Sequence, residues 1–296
     1  MESHDNTIDL QDCFANRPPD LDFVFPGLPK GSVGAIIGPG EIGKSFLTLS
    51  LAVGVATGFD LCGVVPEGSK TGPVAYLNAE DGDAVLRVRM HSLGQFLDTS
   101  VQRKASMHLK VKDLKGEEVW LLDNRGKPNQ VAIDRLRRDA EGQRLVILDT
   151  LRRYHLGDEN SSSQMAHLLA ILEGIAAKDG PAFLFNHHPS KVATVSGNGR
   201  EQSAGRGSSV LVDNARFQIN LTKMTIAEAK KLKVEVENVE KLVKLTTSKS
   251  NYSKAVEDCW LCRNDGGILT RAHLAEFRKP VKFTNIRTTD RCDGDC

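Results

Sequence analysis

Gly38-Pro39-Gly40-Glu41-Ile42-Gly43-Lys44-Ser45 fits the pattern G-x-x-x-x-G-K-[ST] at every fixed position. A short apolar run, Val33-Gly34-Ala35-Ile36-Ile37, precedes it, and a segment from Ser45 to Thr57 follows that is apolar enough to be a helix packed on a sheet. Strand, glycine-rich loop and helix are the context this pattern needs. Glycines let the loop curl so that successive backbone N–H groups face a phosphate, and the helix N-terminus adds the positive end of its dipole. Lys44 is then placed to bridge the β and γ phosphates of ATP and the Ser45 hydroxyl to ligate Mg²⁺, with Gly38, Gly40, Ile42, Gly43 and Phe46 completing the nucleotide cradle. A glycine-rich turn with an incidental lysine, the bland alternative, does not account for the flanking elements.

The same alternation continues along the chain. Pro73-Val74-Ala75-Tyr76-Leu77 predicts a strand, and Asp83 to Leu97 a helix with Leu86, Met90, Leu93 and Leu97 on one face. Ile133 and Leu136 mark a further helix leading into Leu145-Val146-Ile147-Leu148-Asp149, and a helix from Ser163 carries Met165, Leu168, Leu169, Leu172 and Ile175 to a stop at Gly180. Pro181 to Phe185 is another strand. Short apolar strands alternating with amphipathic helices imply an α/β fold, a mainly parallel twisted sheet flanked by helices on both faces, because a parallel strand needs a crossover. After about Ser208 the pattern turns β-rich, with Val210 to Leu221, Leu242 to Ser248, and Cys259 to Leu269 around an Asp265-Gly266-Gly267 turn; these extend the same sheet. Residues 190–206 and 285–296 read as mobile polar segments. The organisation expected is an extension over 1–30 used in subunit packing, one nucleotide-binding domain over 31–270, and a basic, polar tail over 271–296.

Composition narrows the class. With 40% apolar and 26% charged residues in 296, the chain can bury a sizeable core and is not disordered. A net charge of +1 gives no global field for a polyanion, so a nucleic-acid partner would need a local basic surface. No apolar run approaches the roughly 18 residues that cross a bilayer, and the start is acidic and polar, so a soluble, cytoplasmic protein with no membrane partner is expected. Six scattered cysteines suit reduced thiols. Cys259, Cys262, Cys292 and Cys296 could be drawn as a zinc site, but their spacing and the strand-like setting of the first pair argue against it.

Polar residues at strand ends carry the chemistry. Asp149 closes an apolar strand, at the sheet edge where open α/β folds bind ligands, and is the natural carboxylate partner of Mg²⁺; a helix cap is the alternative. Glu80 and Asp81 follow the second strand, Glu80 read as the base that polarises water and Asp81 as the cap of the next helix. Asn186-His187-His188 closes a later strand, where a side chain could sense the γ-phosphate or be merely structural. Arg206, Arg216 and Lys249 are candidates for a cation acting on a neighbouring subunit's nucleotide, although exposed basic residues are more often solvated.

These motifs together resemble the RecA-like ATPase core of the hexameric replicative helicases. Asp22-Phe23-Val24-Phe25-Pro26-Gly27-Leu28, Asn78-Ala79-Glu80-Asp81, Leu148-Asp149-Thr150-Leu151-Arg152-Arg153-Tyr154-His155 and Arg206-Gly207-Ser208-Ser209-Val210-Leu211-Val212-Asp213-Asn214 resemble the RepA-type helicases of IncQ-type broad-host-range plasmids, part of the DnaB-like group. The resemblance runs from about Ile8 to Leu269. It implies a homohexameric ring that unwinds duplex DNA 5′ to 3′ in plasmid replication, driven by ATP and Mg²⁺, with plasmid initiator and primase as further partners. Residue by residue, it implies Glu80 as base, Asp149 on the Mg²⁺ side, His188 as γ-phosphate sensor, Arg216 as arginine finger and Arg89 near the nucleotide. Arg89 could equally snorkel over the core. Lys249-Ser250-Asn251-Tyr252 is similar to a Lys-Asn-Arg-Phe motif of related ATPases, with Asn251 where the Arg stands, so Lys249 and Arg216 would share that role. Single-stranded or forked DNA is expected in the ring's channel, met by Lys191, Arg200 and Arg206 of one loop and Arg152 and Arg153 of another, the latter pair alternatively bound to local carboxylates. A regulatory, DNA-stimulated ATPase that switches without unwinding would carry the same motifs.

Overall fold

The computed structural model describes residues 7–159, 161–177, 180–188, 215, 217–250 and 256–278. Its strands and helices, in chain order, are α1 (Leu10–Ala15), β1 (Phe23–Phe25), β2 (Leu28–Pro29), β3 (Val33–Ile37), α2 (Lys44–Thr57), β4 (Val74–Asn78), α3 (Asp83–Gly94), α4 (Thr99–His108), β5 (Leu109–Asp113), α5 (Gln130–Ala140), β6 (Leu145–Asp149), α6 (Ser162–Ala176), β7 (Ala182–His187), β8 (Phe217–Lys223), α7 (Ile226–Leu232), β9 (Leu242–Ser250), β10 (Cys259–Arg263) and β11 (Leu269–Arg271).

Nine strands form one sheet in the order β11-β10-β9-β8-β3-β7-β6-β4-β5. From β8 to β5 neighbours run parallel, and β9, β10 and β11 continue antiparallel from β8, which is the expected β-rich extension of the same sheet. Every residue of β3, β4, β6 and β7 is buried, as a parallel sheet covered on both faces requires. Side chains alternate between two cores. Ile36, Tyr76, Ile147 and Leu184 meet Leu47, Leu51 and Val55 of α2. Ala35, Ile37, Leu77, Leu148 and Phe185 meet Ile133 and Leu136 of α5 and Leu168 and Leu172 of α6.

Several expectations are corrected. The helix from Ser162 ends at Ala176, short of Gly180, whose added Cβ would lie 2.6 Å from the Ala176 carbonyl. The body begins before residue 31. Val24, Phe25 and Leu28 are wholly buried in the α2-side core, and Arg144 at the start of β6 grips Asp22 through two hydrogen bonds of 2.7 and 2.9 Å while donating to the Phe23 carbonyl at 2.6 Å. It also runs past residue 270: Ala272, Leu274 and Phe277 pack on a third cluster around Met224, Ala229 and Leu242. The unforeseen elements are α1, β1 and β2 in the N-terminal stretch, and α4, β5 and α7. β5 follows α4 directly as the edge strand beside β4, and α7 starts at a capping box between Thr225 and Glu228. The segment 190–206, the end 285–296 and residues 210–214 of the predicted strand before Leu221 lie outside the described residues, as does Asn251.

The Arg144–Asp22 pair tests how the N-terminal hairpin is held. Arg144 is nearly buried and Asp22 about one-third exposed, so solvent screens part of the interaction. Arg144→Ala should cost roughly 2 kcal/mol, since it also orphans the Phe23 carbonyl, and lower Tm by about 4–8 °C. The guanidinium draws the Asp22 carboxyl from its ordinary 3.8 down to about 2. A folded-state value below the unfolded one stabilises fully above pH 3.8 and loses that contribution as pH falls toward 2. The Tm gap between wild type and variant should therefore be smaller at pH 3 than at pH 7, without closing, because the bond to the Phe23 carbonyl does not titrate; equal Tm at pH 7 would show that the apolar residues alone hold the hairpin.

Candidate functional site

The parallel strands all end at one edge, where Lys44, Ser45, Glu80, Asp149 and His188 lie. The loop after β3 turns into α2 through Gly43, the N-cap, at φ 104°, where an added Cβ would also press on Leu269 of β11 at 3.0 Å. Gly43 gives the helix no side-chain cap, so its first-turn N–H groups are open to an anion. Glu41 takes a left-handed φ of 61°, and its carbonyl accepts from Arg263 Nη2 of β10 at 2.6 Å. The antiparallel extension thus braces the loop from the side, a contact that distance in sequence hides.

Lys44 is 5% exposed, and its ammonium donates to the carbonyls of Gly38 and Pro39, both at 2.8 Å. Its third contact is His188 Nδ1 at 3.1 Å. An ammonium has donors only, so Nδ1 accepts and His188 is the neutral tautomer protonated on Nε2. Burial, and then Lys44, hold the His188 pKa below its ordinary value, in agreement with that tautomer. Burial also pushes Lys44 down to about 8, against the pull of Asp149 and Glu80. His187 points to the other face of β7, buried in the electrostatic neighbourhood of Glu159 and His155.

Asp149, 1% exposed, lies between two neighbours on the α2 face. Asn186 Nδ2 of β7 donates to its Oδ1 at 2.8 Å, and the Tyr76 hydroxyl of β4 donates to its Oδ2. Asn186 also reaches Thr48 Oγ1 of α2 at 3.1 Å, and Thr48 in turn bonds the carbonyls of Lys44 and Ser45, each at 3.1 Å. Asp149 is therefore no helix cap. Thr150 is the N-cap residue of the 3-10 turn Leu151–Tyr154 that follows. Tyr76 and Thr48 are functional neighbours that sequence reading passed over; the hydroxyl on an otherwise apolar strand was the available signal.

Glu80 is half-buried on the turn after β4, and Asn78, wholly buried, fixes that turn by bonding the Asp81 carbonyl through Nδ2. Burial first, then Asp149 and Asp81, raise the Glu80 pKa, while Arg153 and Lys44 oppose the rise. Asp81 does not cap α3. The N-cap is Gly82, the Asp83 N–H goes to Asp113 of β5, and Asp81 pairs with Arg89 at 2.7 Å. That pair sets Arg89 over the Phe46 ring at 5.7 Å, and Gly267 of the β10–β11 turn lies so close that its Cβ would meet Phe46 at 2.5 Å.

Ser45 is half-buried at the start of α2. Its hydroxyl, the Asp149 carboxylate and Glu80 are hard oxygen donors, the kind Mg²⁺ takes, and the uncapped helix with Lys44 suits a polyphosphate. The donor set fits ATP with Mg²⁺. Arg152 is tied locally, to the His155 carbonyl at 2.9 Å and toward Glu159 at 3.6 Å, whereas Arg153 stands in the field of Glu80. Lys249 lies on β9 opposite Gln218, which pairs with Ala35, below the level at which the loop leaves β3. Arg216, Lys191, Arg200 and Arg206 lie outside the described residues. Among the described residues no group of His, Cys, Asp and Glu could by itself hold a metal ion, and no helix is long and apolar enough to cross a membrane.

The fold has counterparts among solved structures. The ATPase domain of G40P is 14% identical, with a TM-score of 0.55, over 89% of this chain and 96% of that one. The RadB recombinase is 15% identical, with a TM-score of 0.49, over 83% and 93%. The first likeness agrees with the RecA-like sheet and flanking helices described above. In sequence, the family described as AAA domain matches residues 4–194. That span takes in the phosphate loop, both carboxylates and the two histidines over more than half of the length, and the chain belongs to the AAA domain family.

Proposed function

We propose that this protein is an ATP-driven, homohexameric ring helicase that unwinds duplex DNA 5′ to 3′ in plasmid replication. The observation that carries the chemical half is the gathering of Lys44, Glu80, Asp149 and His188 around one uncapped helix N-terminus. Lys44 and the loop N–H groups bind the phosphates, Ser45 and Asp149 hold Mg²⁺, and His188 reads the γ-phosphate through the ammonium it shares. Mg²⁺, when bound, neutralises charge that builds on the phosphate oxygens. Glu80 accepts a proton from the attacking water; its raised pKa brings it closer to neutral pH, where a base works best. Phe46 and Arg89 wall the nucleotide.

The mechanical half rests on the resemblance and on charge placement. Arg216, with Lys249, acts on the neighbouring subunit's nucleotide, so hydrolysis occurs only between subunits. Of the expected extension over 1–30, the part up to Leu21 contributes to subunit packing: Ile8, Leu10, Phe14 and Leu21 are all more than half exposed, and α1 buries no residue in its own chain. Arg152, Arg153, Lys191, Arg200 and Arg206 line a channel for single-stranded or forked DNA, giving contacts that are independent of sequence and sensitive to salt. Initiator and primase load the ring, and the protein works in the cytoplasm.

Strand displacement from a 5′-tailed fork tests the proposal. ATP-dependent displacement is expected; DNA-stimulated hydrolysis without displacement would make the protein a regulatory switch instead. Arg216→Ala should reduce kcat at least about 100-fold with nucleotide affinity little changed, measured by steady-state hydrolysis and equilibrium binding; loss of binding itself would make Arg216 structural. Glu80→Gln should do the same. The acidic limb of the kcat/KM profile should lie above pH 4.5 because Glu80 is raised from that value. Arg153→Ala removes a charge that lowers the Glu80 pKa, so it should move that limb to higher pH; a limb that stays in place would take Glu80 out of the role of base.

A further inference from the structure

We propose that Tyr76 and Asn186 are positioning residues that aim the Asp149 carboxylate at the divalent cation and tie it to the phosphate loop. This rests on the assignment of Asp149 to Mg²⁺ made above.

The geometry is a cluster of buried polar groups. Asp149 ends β6, the strand between β4 and β7, and each neighbour supplies one donor. Tyr76 pairs with Ile147 in the β4–β6 register, two residues before the Asn78–Asp149 pair, so its ring rises on the same face and its hydroxyl meets Oδ2. On the other side Leu148 pairs with Phe185, which sets Asn186 beside Asp149 to meet Oδ1 at 2.8 Å. Thr48 of α2 accepts from Asn186 at 3.1 Å, lies 3.4 Å from the Tyr76 hydroxyl, and donates its own proton to the carbonyls of Lys44 and Ser45, so the group is joined to the loop. Tyr76, Thr48, Asp149 and Asn186 are each at most 1% exposed.

Physical consequences follow from this arrangement. A carboxylate offers about four lone-pair sites, and the two donors occupy one on each oxygen. The plane of the group is thereby set, and the remaining lone pairs stay available to a cation or its water. A carboxylate free to rotate would have to be ordered on binding, at a cost in affinity. The chain also ties the carboxylate to the backbone of Lys44 and Ser45, so the cation site and the phosphate site keep one spacing. Phenylalanine would fill the Tyr76 space equally well in an apolar core, and the hydroxyl is what the cluster needs. Groups that orient metal ligands from behind typically change metal affinity by about 10- to 100-fold when removed.

The test measures metal affinity directly. Mn²⁺, standing in for Mg²⁺, is titrated by electron paramagnetic resonance into the full-length protein with a non-hydrolysable ATP analogue, and analogue affinity is measured separately in EDTA. Tyr76→Phe is expected to raise the Mn²⁺ Kd about 10- to 100-fold while analogue affinity in EDTA stays within about 2-fold. An unchanged Mn²⁺ Kd in a folded Tyr76→Phe protein would overturn the proposal, showing that the hydroxyl only satisfies a buried carboxylate. An equal loss of affinity in EDTA would also overturn it, since the residue would then be supporting the loop. Should Tyr76→Phe not fold, the same comparison with Asn186→Leu decides on the same criteria. A wild-type protein that holds no Mn²⁺ beside the analogue would sink the assignment of Asp149 as well, which separates that failure from failure of the Tyr76 proposal alone.

Discussion

A lysine ammonium can sit 5% exposed only if each of its donors meets an acceptor, and the architecture of the sheet edge follows from how Lys44 meets that demand. Two acceptors are carbonyls of its own loop, which must curl back through Gly38 and Pro39 to present them. The third is His188, carried there because β7 lies directly beside β3 in parallel register. The pairing of two strands far apart in sequence is thus what brings the histidine to the lysine. Nearby Asp149 and Glu80 offset part of what burial costs the ammonium.

Much of this fold was legible because its strands are short, apolar and separated by helices with one apolar face. Burial on both faces writes a strand as a continuous apolar run, as in Leu145-Val146-Ile147-Leu148. Among the elements missed, three are ones for which that rule fails. β5 is an edge strand, Leu109-Lys110-Val111-Lys112-Asp113, whose residues are only partly buried or exposed and whose signal is alternation. α4 and α7 are polar surface helices announced by caps, Asp98 and Thr225, more than by apolar spacing. The start of the body was misplaced because its anchor, Arg144 on Asp22, joins positions that no local pattern connects.

At the candidate site Lys44 was singled out by the glycine-rich pattern and Glu80, Asp149 and His188 by strand-end position, and the fold brings the four close together. Their supporting partners were not legible in that way. Asp81 looked like a cap and is the counter-ion of Arg89, because the first N–H of α3 is met by Asp113 from the unforeseen β5. Arg263 reaches the loop, and Gly267 reaches Phe46 of α2, from the far end of the sheet order, through strands that double back antiparallel. Tyr76 was read only as part of an apolar strand, and its ring is core; only the structure shows that its hydroxyl ends on Asp149. Sequence pattern reports which face a residue occupies, and a buried hydrogen bond depends on what shares that face.

Among the described residues, the cations around the carboxylates are Lys44, bound by its loop, Arg89, bound by Asp81, and Arg153. Lys249 sits on β9 opposite Gln218, which pairs with Ala35 of β3. A transition state rich in phosphoryl charge is better stabilised with a further cation, and the account draws it from a neighbouring subunit. Solution mass by light scattering, with and without a non-hydrolysable ATP analogue and Mg²⁺, tests this most directly. The account requires a mass near six times the 32.3 kDa chain, at least with nucleotide. A strict monomer under every condition would contradict it and leave a nucleotide-binding domain without a shared active site.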